Sequence, residues 1–211
     1  MTLPDVILDP LEIEAKSFAI IDAETGPHQY DARQWPVVRR IIHTTADFEF
    51  AEKTRFAPGA IESALQGLQA GGRVVCDTNM VLAGVNKTRL ASFNCDIGCH
   101  VADPDVAAAA REEGVTRSIL ATRKGVERGG EIFLIGNAPT ALFELLRLVA
   151  AGTVRPALVV GVPVGFVGAA EAKQALIATD LPYISCEGRK GGSAVAVAIL
   201  NALMILAEES G

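Results

Sequence analysis

Histidine is scarce in this chain, with three among 211 residues. One of them, His43, stands in RRIIHTTADFEF, residues 39–50, between paired arginines and a run of hydroxyls and acids. Imidazole titrates closest to neutrality of all side chains, so His43 is the first candidate for moving a proton. On a helix, Arg39 and Arg40 share its side, being four and three residues earlier, and so does Asp47, four residues later. A flanking cation lowers an imidazole pKa, whereas a carboxylate raises it and orients the ring. The same neighbours suit a packed structural histidine beside an apolar helix face, and spacing alone leaves both readings open.

The other polar candidates collect after short apolar runs. Thr78 follows RVVCD, Asn137 follows EIFLIG, and Arg189, Lys190 and Ser193 follow PYISCEG in a stretch containing two adjacent glycines. PALVVGV is followed by PVGFVG. In an open parallel sheet, ligands bind beyond the carboxyl ends of the strands, where helix starts offer N–H groups to anions. Ordinary strand-to-helix turns use the same residue types. Several together, one with adjacent Arg and Lys, point to a pocket for a polyanionic ligand.

Other chemistries fit less well. No G-x-x-x-x-G-K-[ST] loop occurs, and the glycines of GVPVGFVG depart from the dinucleotide spacing. Cys95, Cys99 and His100 are of ligating type, but no second ligand pair matches them, so no metal is expected. Four dispersed cysteines read as reduced and buried. A net charge of −6 without a basic stripe argues against nucleic acid. The start lacks a basic-then-apolar leader, and the longest apolar run, GGSAVAVAILNALMILAEE, is better suited to a buried core helix than to a membrane. The expected location is the cytoplasm.

The elements that must position these residues change rhythm along the chain. Up to about Gly71 the pattern is helical, with little strand character: PLEIEAKSFAIIDAE, capped by Asp9 with Pro10, then QWPVVRRIIHTTAD, then APGAIESALQGLQAGG. Apolar residues around the whole first helix predict burial on both sides. From Arg73, apolar strands in RVVCD, NCDIGCHV, EIFLIG, PALVVGV and PYISCEG alternate with helices. The expected fold is α/β, a three-layer sandwich with a mostly parallel sheet of about five strands and additional N-terminal helices, forming one domain over residues 1–211.

Seven segments then carry a resemblance through nearly the whole chain: EAKSFAII, VVRRIIHTTADFEF, CDTNMVLAGV, GVTRS, IGNAPTALFELL, VGVPVGFVGAAEAK and GRKGGSAVAVAILNAL. The sequence resembles the precorrin-8X methylmutase family, which includes cobalt-precorrin-8 methylmutases. The resemblance implies an isomerase of cobalamin biosynthesis that moves a methyl group from C-11 to C-12 of a corrinoid, metal-free or cobalt-loaded. It implies no separate cofactor and a homodimer with the ligand bound near the interface. The catalytic histidine falls on His43, and substrate contacts fall on Ser17 and Arg40. Motif position and the strand-end argument add Thr78, Arg117, Ser118, Asn137, Arg189, Lys190 and Ser193. The second and last helices are the interface candidates. A non-catalytic corrinoid carrier is the alternative.

Overall fold

The switch at Arg73 marks the start of the parallel part of the central sheet. The structure, a computed structural model, describes residues 7–209. Strands are β1 (Thr54–Phe56), β2 (Val74–Cys76), β3 (Ile97–Cys99), β4 (Ile132–Ile135), β5 (Leu158–Gly161) and β6 (Tyr183–Cys186). They form one sheet in the order β1-β6-β5-β4-β2-β3. Every neighbouring pair from β6 through to β3 is parallel. Val74, Ile132, Leu134, Leu158, Val159, Val160 and Ile184 are fully buried, as central strands covered on both faces require.

Helices are α1 (Pro10–Thr25), α2 (Gln34–Thr45), α3 (Phe50–Lys53), α4 (Ala60–Gln69), α5 (Asn79–Gly84), α6 (Lys87–Ser92), α7 (Pro104–Glu113), α8 (Arg117–Glu127), α9 (Pro139–Ala150), α10 (Ala169–Ile177) and α11 (Ser193–Glu209). One layer is built on α11, which packs on α2, α4 and α5 and reaches β4 and β5. The other runs α7, α8, α9 and α10, each against the next. Among the described residues, no helix is long and apolar enough to cross a membrane.

The sheet has one strand more than the periodicity predicted. β1 lies in a segment with helical neighbours and pairs antiparallel with β6, Arg55 opposite Ser185. Three residues are too short to display a period-two pattern. Its state is set by the edge of β6, by the paired hydrogen bonds of Arg55 to Glu187 at 3.1 and 2.9 Å, and by the Tyr30 hydroxyl, which donates to the Thr54 carbonyl. α5 and α6 also went unpredicted, since six residues carry too little amphipathic signal. Their starts are capped, by Thr78 Oγ1 accepting from the Val81 N–H and Asn86 Oδ1 accepting from the Arg89 N–H.

The predicted cap of α1 is present: Asp9 Oδ1 accepts from the N–H groups of Leu11 and Glu12. Its predicted two-sided burial is not. Only Ile21 of α1 is buried, and Leu11 is 80% exposed. α1 lies against α2, and among the described residues its second apolar face stays largely uncovered. α2 and α11 pack on each other, and large exposed apolar side chains occur on α1 and in the β5–α10 loop, where Phe166 and Val167 stand out.

Candidate active site

α2 sorts its residues by face. Val37, Val38, Ile41 and Ile42 form the buried stripe, while Arg40, His43 and Thr44 line the opposite side. His43 is exposed in the last turn, so it is not a core histidine. Phe18 of α1 meets its ring edge-on, with centroids 5.4 Å apart. The guanidinium carbons of Arg39 and Arg40 sit 4.3 and 5.0 Å from the same phenyl centroid. Arg40 donates to both carboxylate oxygens of Glu14, at 2.6 and 3.4 Å. That hydrogen bond is the main reason Glu14 sits below the usual glutamate range, against the opposing effect of burial. Ser17 lies three residues after Glu14, its hydroxyl donating to the Ile13 carbonyl at 2.7 Å.

Arg39 bonds Asp22 at 2.9 Å. Asp47 does not share the face of His43 as the helical register predicted. The helix stops at Thr45, Ala46 takes a left-handed φ of 52°, and the chain turns off the axis. Asp47 instead accepts from the Lys190 ammonium, as does Glu49.

His43 and Arg40 open onto a cavity of about 430 Å³. Met80 and Gly84 of α5 and Ala194, Val197, Ala198, Asn201 and Ile205 of α11 complete much of its wall. A Cβ on Gly84 would come within 2.8 Å of Val197 Cγ2, so this glycine sets how closely α5 approaches α11. Asn201 ties the two helices by donating to the Gly84 carbonyl at 3.3 Å and accepting from the Asn86 N–H at 3.0 Å. Arg89, at the rim, bonds Glu208.

The remaining candidates follow strand ends or open α8, and none of them lines this cavity. Thr78 Oγ1 and Ser193 Oγ are 3.1 Å apart, joining the end of β2 to the start of α11. Their sequence neighbours Met80 and Ala194 already line the cavity. Asn137 follows β4, and Arg117 and Ser118 open α8, whose preceding Thr116 bonds Thr140 of α9 at 3.0 Å. Arg117 and Arg189 have no carboxylate partner among the described residues; Arg189 rests 5.5 Å from the Phe166 ring centroid. Lys190, by contrast, already holds two carboxylates.

Asp77 is the residue that motif reasoning passed over. It is buried at the end of β2, and its carboxylate accepts from the backbone N–H groups of Gly136, Asn137 and Ala138 at 3.1, 2.7 and 2.8 Å. Burial raises its pKa, and these three donors oppose the rise. The Asp77 carboxyl thus takes the N–H groups just before α9, and they are not open to a ligand as expected for a strand end. An acid closing a strand, in VVCD, was its one visible signal.

A larger groove of about 910 Å³ lies at the amino end of β4, β5 and β6, with Glu131, Arg155 and Asp180 as its charges. It is on the side of the sheet away from the polar edge, and parallel sheets bind ligands at the carboxyl side. Cys95, Cys99 and His100 part company: Cys95 Sγ donates to the Leu68 carbonyl, Cys99 neighbours Cys76, and His100 pairs with Asp103. Among the described residues, no cluster of three or more His, Cys, Asp or Glu side chains is disposed to hold a metal ion.

A three-layer α/β fold with an accessible imidazole and arginines at the ligand end of its sheet has the layout of a small-molecule enzyme. Comparison with known proteins makes that specific. The precorrin-8X methylmutase family model matches residues 12–206. A cobalt-precorrin-8 methylmutase from Leptospira interrogans is 46% identical over 208 residues, 94% of either chain. A precorrin-8X methylmutase from Pseudomonas aeruginosa is 43% identical over 202 residues, 94% of this chain and 97% of the other. The crystal structure of a precorrin-8X methylmutase from Thermus thermophilus superposes with a TM-score of 0.88 at 46% identity, covering 95% of this chain and 98% of that one. The chain belongs to the precorrin-8X methylmutase family, and it is an enzyme of that class, an isomerase of cobalamin biosynthesis.

Proposed function

We propose that the chain moves a methyl group from C-11 to the adjacent C-12 of a precorrin-8 macrocycle, and that His43 is the proton donor and acceptor for that shift. The observation that carries this reading is an accessible imidazole beside the Arg40 guanidinium, on one wall of a cavity whose facing wall is the apolar side of α11. A corrinoid is a flat apolar ring fringed by carboxylates. It calls for an apolar slot with cations at the margin. Arg40, Arg117 and Arg189 supply the cations, while Ser17, Thr78, Ser118, Asn137, Lys190 and Ser193 orient the ring's side arms directly or by holding the surrounding loops.

The reaction is an isomerisation and needs no oxidant. His43 gives a proton to the ring and selects the tautomer in which a 1,5-shift is allowed. The methyl–C-11 bond breaks as the methyl–C-12 bond forms, the ring π electrons relocate, and the proton returns to His43. Orientation by the cavity and one positioned proton are the contributions asked of the protein. The exposed apolar residues on and just before α1, Leu11 and Leu8 above all, support a homodimer.

Anaerobic incubation with precorrin-8X, and in parallel with cobalt-precorrin-8, followed by NMR of the pigment, tests the reaction and names its preferred form. His43→Ala should lower turnover by about 10²–10⁴-fold while the pigment still binds. Wild-type turnover in that variant would remove the proton-transfer role. Binding by wild-type protein without a methyl shift would make the chain a carrier.

A further inference from the structure

α10 carries a lysine where its buried face calls for an aliphatic residue. Ala169, Ala172, Lys173 and Leu176 form that face, and Lys173 is 0% exposed. A buried ammonium is costly unless it is paired, yet no carboxylate is among its partners in the described residues. Its Nζ donates to the backbone carbonyl of Lys190 and lies 3.7 Å from Cys186 Sγ. Cys186 Sγ donates to the same carbonyl at 3.2 Å. Burial lowers the Lys173 pKa, and the neighbouring Cys186 opposes that shift.

The Lys190 carbonyl lies midway along the turn from β6 to α11. The outer side of that turn is held as well. The Gly192 N–H donates to the Val162 carbonyl at 2.8 Å, and the Gly165 N–H donates to the Arg189 carbonyl at 3.1 Å. The Lys190 side chain reaches Asp47, just past the helix that bears His43. What the turn presents outward is Arg189, whose guanidinium has no carboxylate partner. A methionine would fill the volume of Lys173 at lower desolvation cost, but it would leave the Lys190 carbonyl without its strongest donor.

We propose that Lys173 is a positioning residue for ligand binding, its buried amine fixing the Lys190 carbonyl so that the turn holds Arg189 toward an anionic arm of the substrate. The inference rests on the methylmutase reading. It assigns Lys173 to capture of the ligand and not to the methyl shift.

The test is kinetic, on full-length Lys173→Met and Lys173→Gln, with circular dichroism to verify folding. Lys173→Met should raise KM for the corrinoid roughly tenfold with kcat within about twofold, and Lys173→Gln, which keeps an N–H donor, should recover part of the loss. In an Arg189→Ala background the effect of Lys173→Met on KM should largely disappear, because both changes disable one contact. Unchanged KM in folded Lys173→Met, an equal fall in kcat and kcat/KM, or full additivity with Arg189→Ala overturns the proposal. So does failure of both Lys173 variants to fold, which would make the amine a folding residue. Wild-type protein run alongside separates the two levels: no methyl shift there defeats the reaction itself, whereas normal wild-type turnover with normal variant KM defeats only the role of Lys173.

Discussion

Removing the Asp77 carboxylate should be among the most damaging single changes outside the cavity. The side chain accepts three backbone N–H groups, and two of the donor residues, Gly136 and Ala138, are buried. Asn137 is exposed and can turn its N–H to water. In Asp77→Ala two buried donors lose their acceptor, at about 2 kcal/mol each, for a total near 4 kcal/mol. Asp77→Asn keeps one oxygen for the two short bonds and turns an NH₂ group toward Gly136, at a cost of about 2 kcal/mol. For a chain of this size that corresponds to about 8–16 °C in Tm for the alanine variant and half as much for the asparagine. Calorimetry and urea titration read these shifts. The asparagine variant should also raise KM, because Thr78 and Asn137 flank the carboxylate and its hydrogen bonds. A loss below about 1 kcal/mol in Asp77→Ala would refute the reasoning, since the three N–H groups would then have other partners to turn to.

Further predictions follow from the same contacts. Arg40→Ala should raise KM by about 10–100-fold, the worth of one charge-assisted contact, and Glu14→Gln, which frees the guanidinium from its paired bond, should change KM by a smaller factor in steady-state assays. Glu144 is held below the usual glutamate value of 4.5 chiefly by its hydrogen bond from Arg147 and also by that from Arg123. Its folded pKa is lowered, so its stabilisation is complete above pH 4.5 and is lost as pH falls through the lowered value. Glu144→Gln should therefore lower Tm near neutrality and flatten the acid limb of a Tm–pH profile. Gly191 has φ 151°, and a Cβ there would overlap the Val162 carbonyl oxygen. Gly191→Ala should cost about 1–3 kcal/mol and loosen the turn before α11, read by denaturation and by a higher KM.

Much of the architecture was written locally in the chain. The cap at Asp9, the glycine stop after α4, the alternation of apolar strands and helices from Arg73, and the apolar stripe of α2 all follow from neighbours within about one helical turn, although that stripe alone left open whether His43 was packed or free. The segments EAKSFAII, VVRRIIHTTADFEF and IGNAPTALFELL carried the family resemblance, because they are unusual as strings and need no folding to be read. What only the tertiary structure decided involves partners far apart in sequence. β1 is a strand because β6 offers it an edge 130 residues later. Asp77 meets its N–H donors 59 to 61 residues away. Asp47 leaves His43 for Lys190, 143 residues on, once a left-handed Ala46 ends the helix. Lys173 looks from its sequence like a solvent-facing charge in AAEAKQAL, and the packing of α10 against β6 buries it. Local periodicity reports which face of an element is apolar. Which buried polar group that face will meet depends on chain segments that share no local pattern, and only closure of the core brings them within hydrogen-bonding distance.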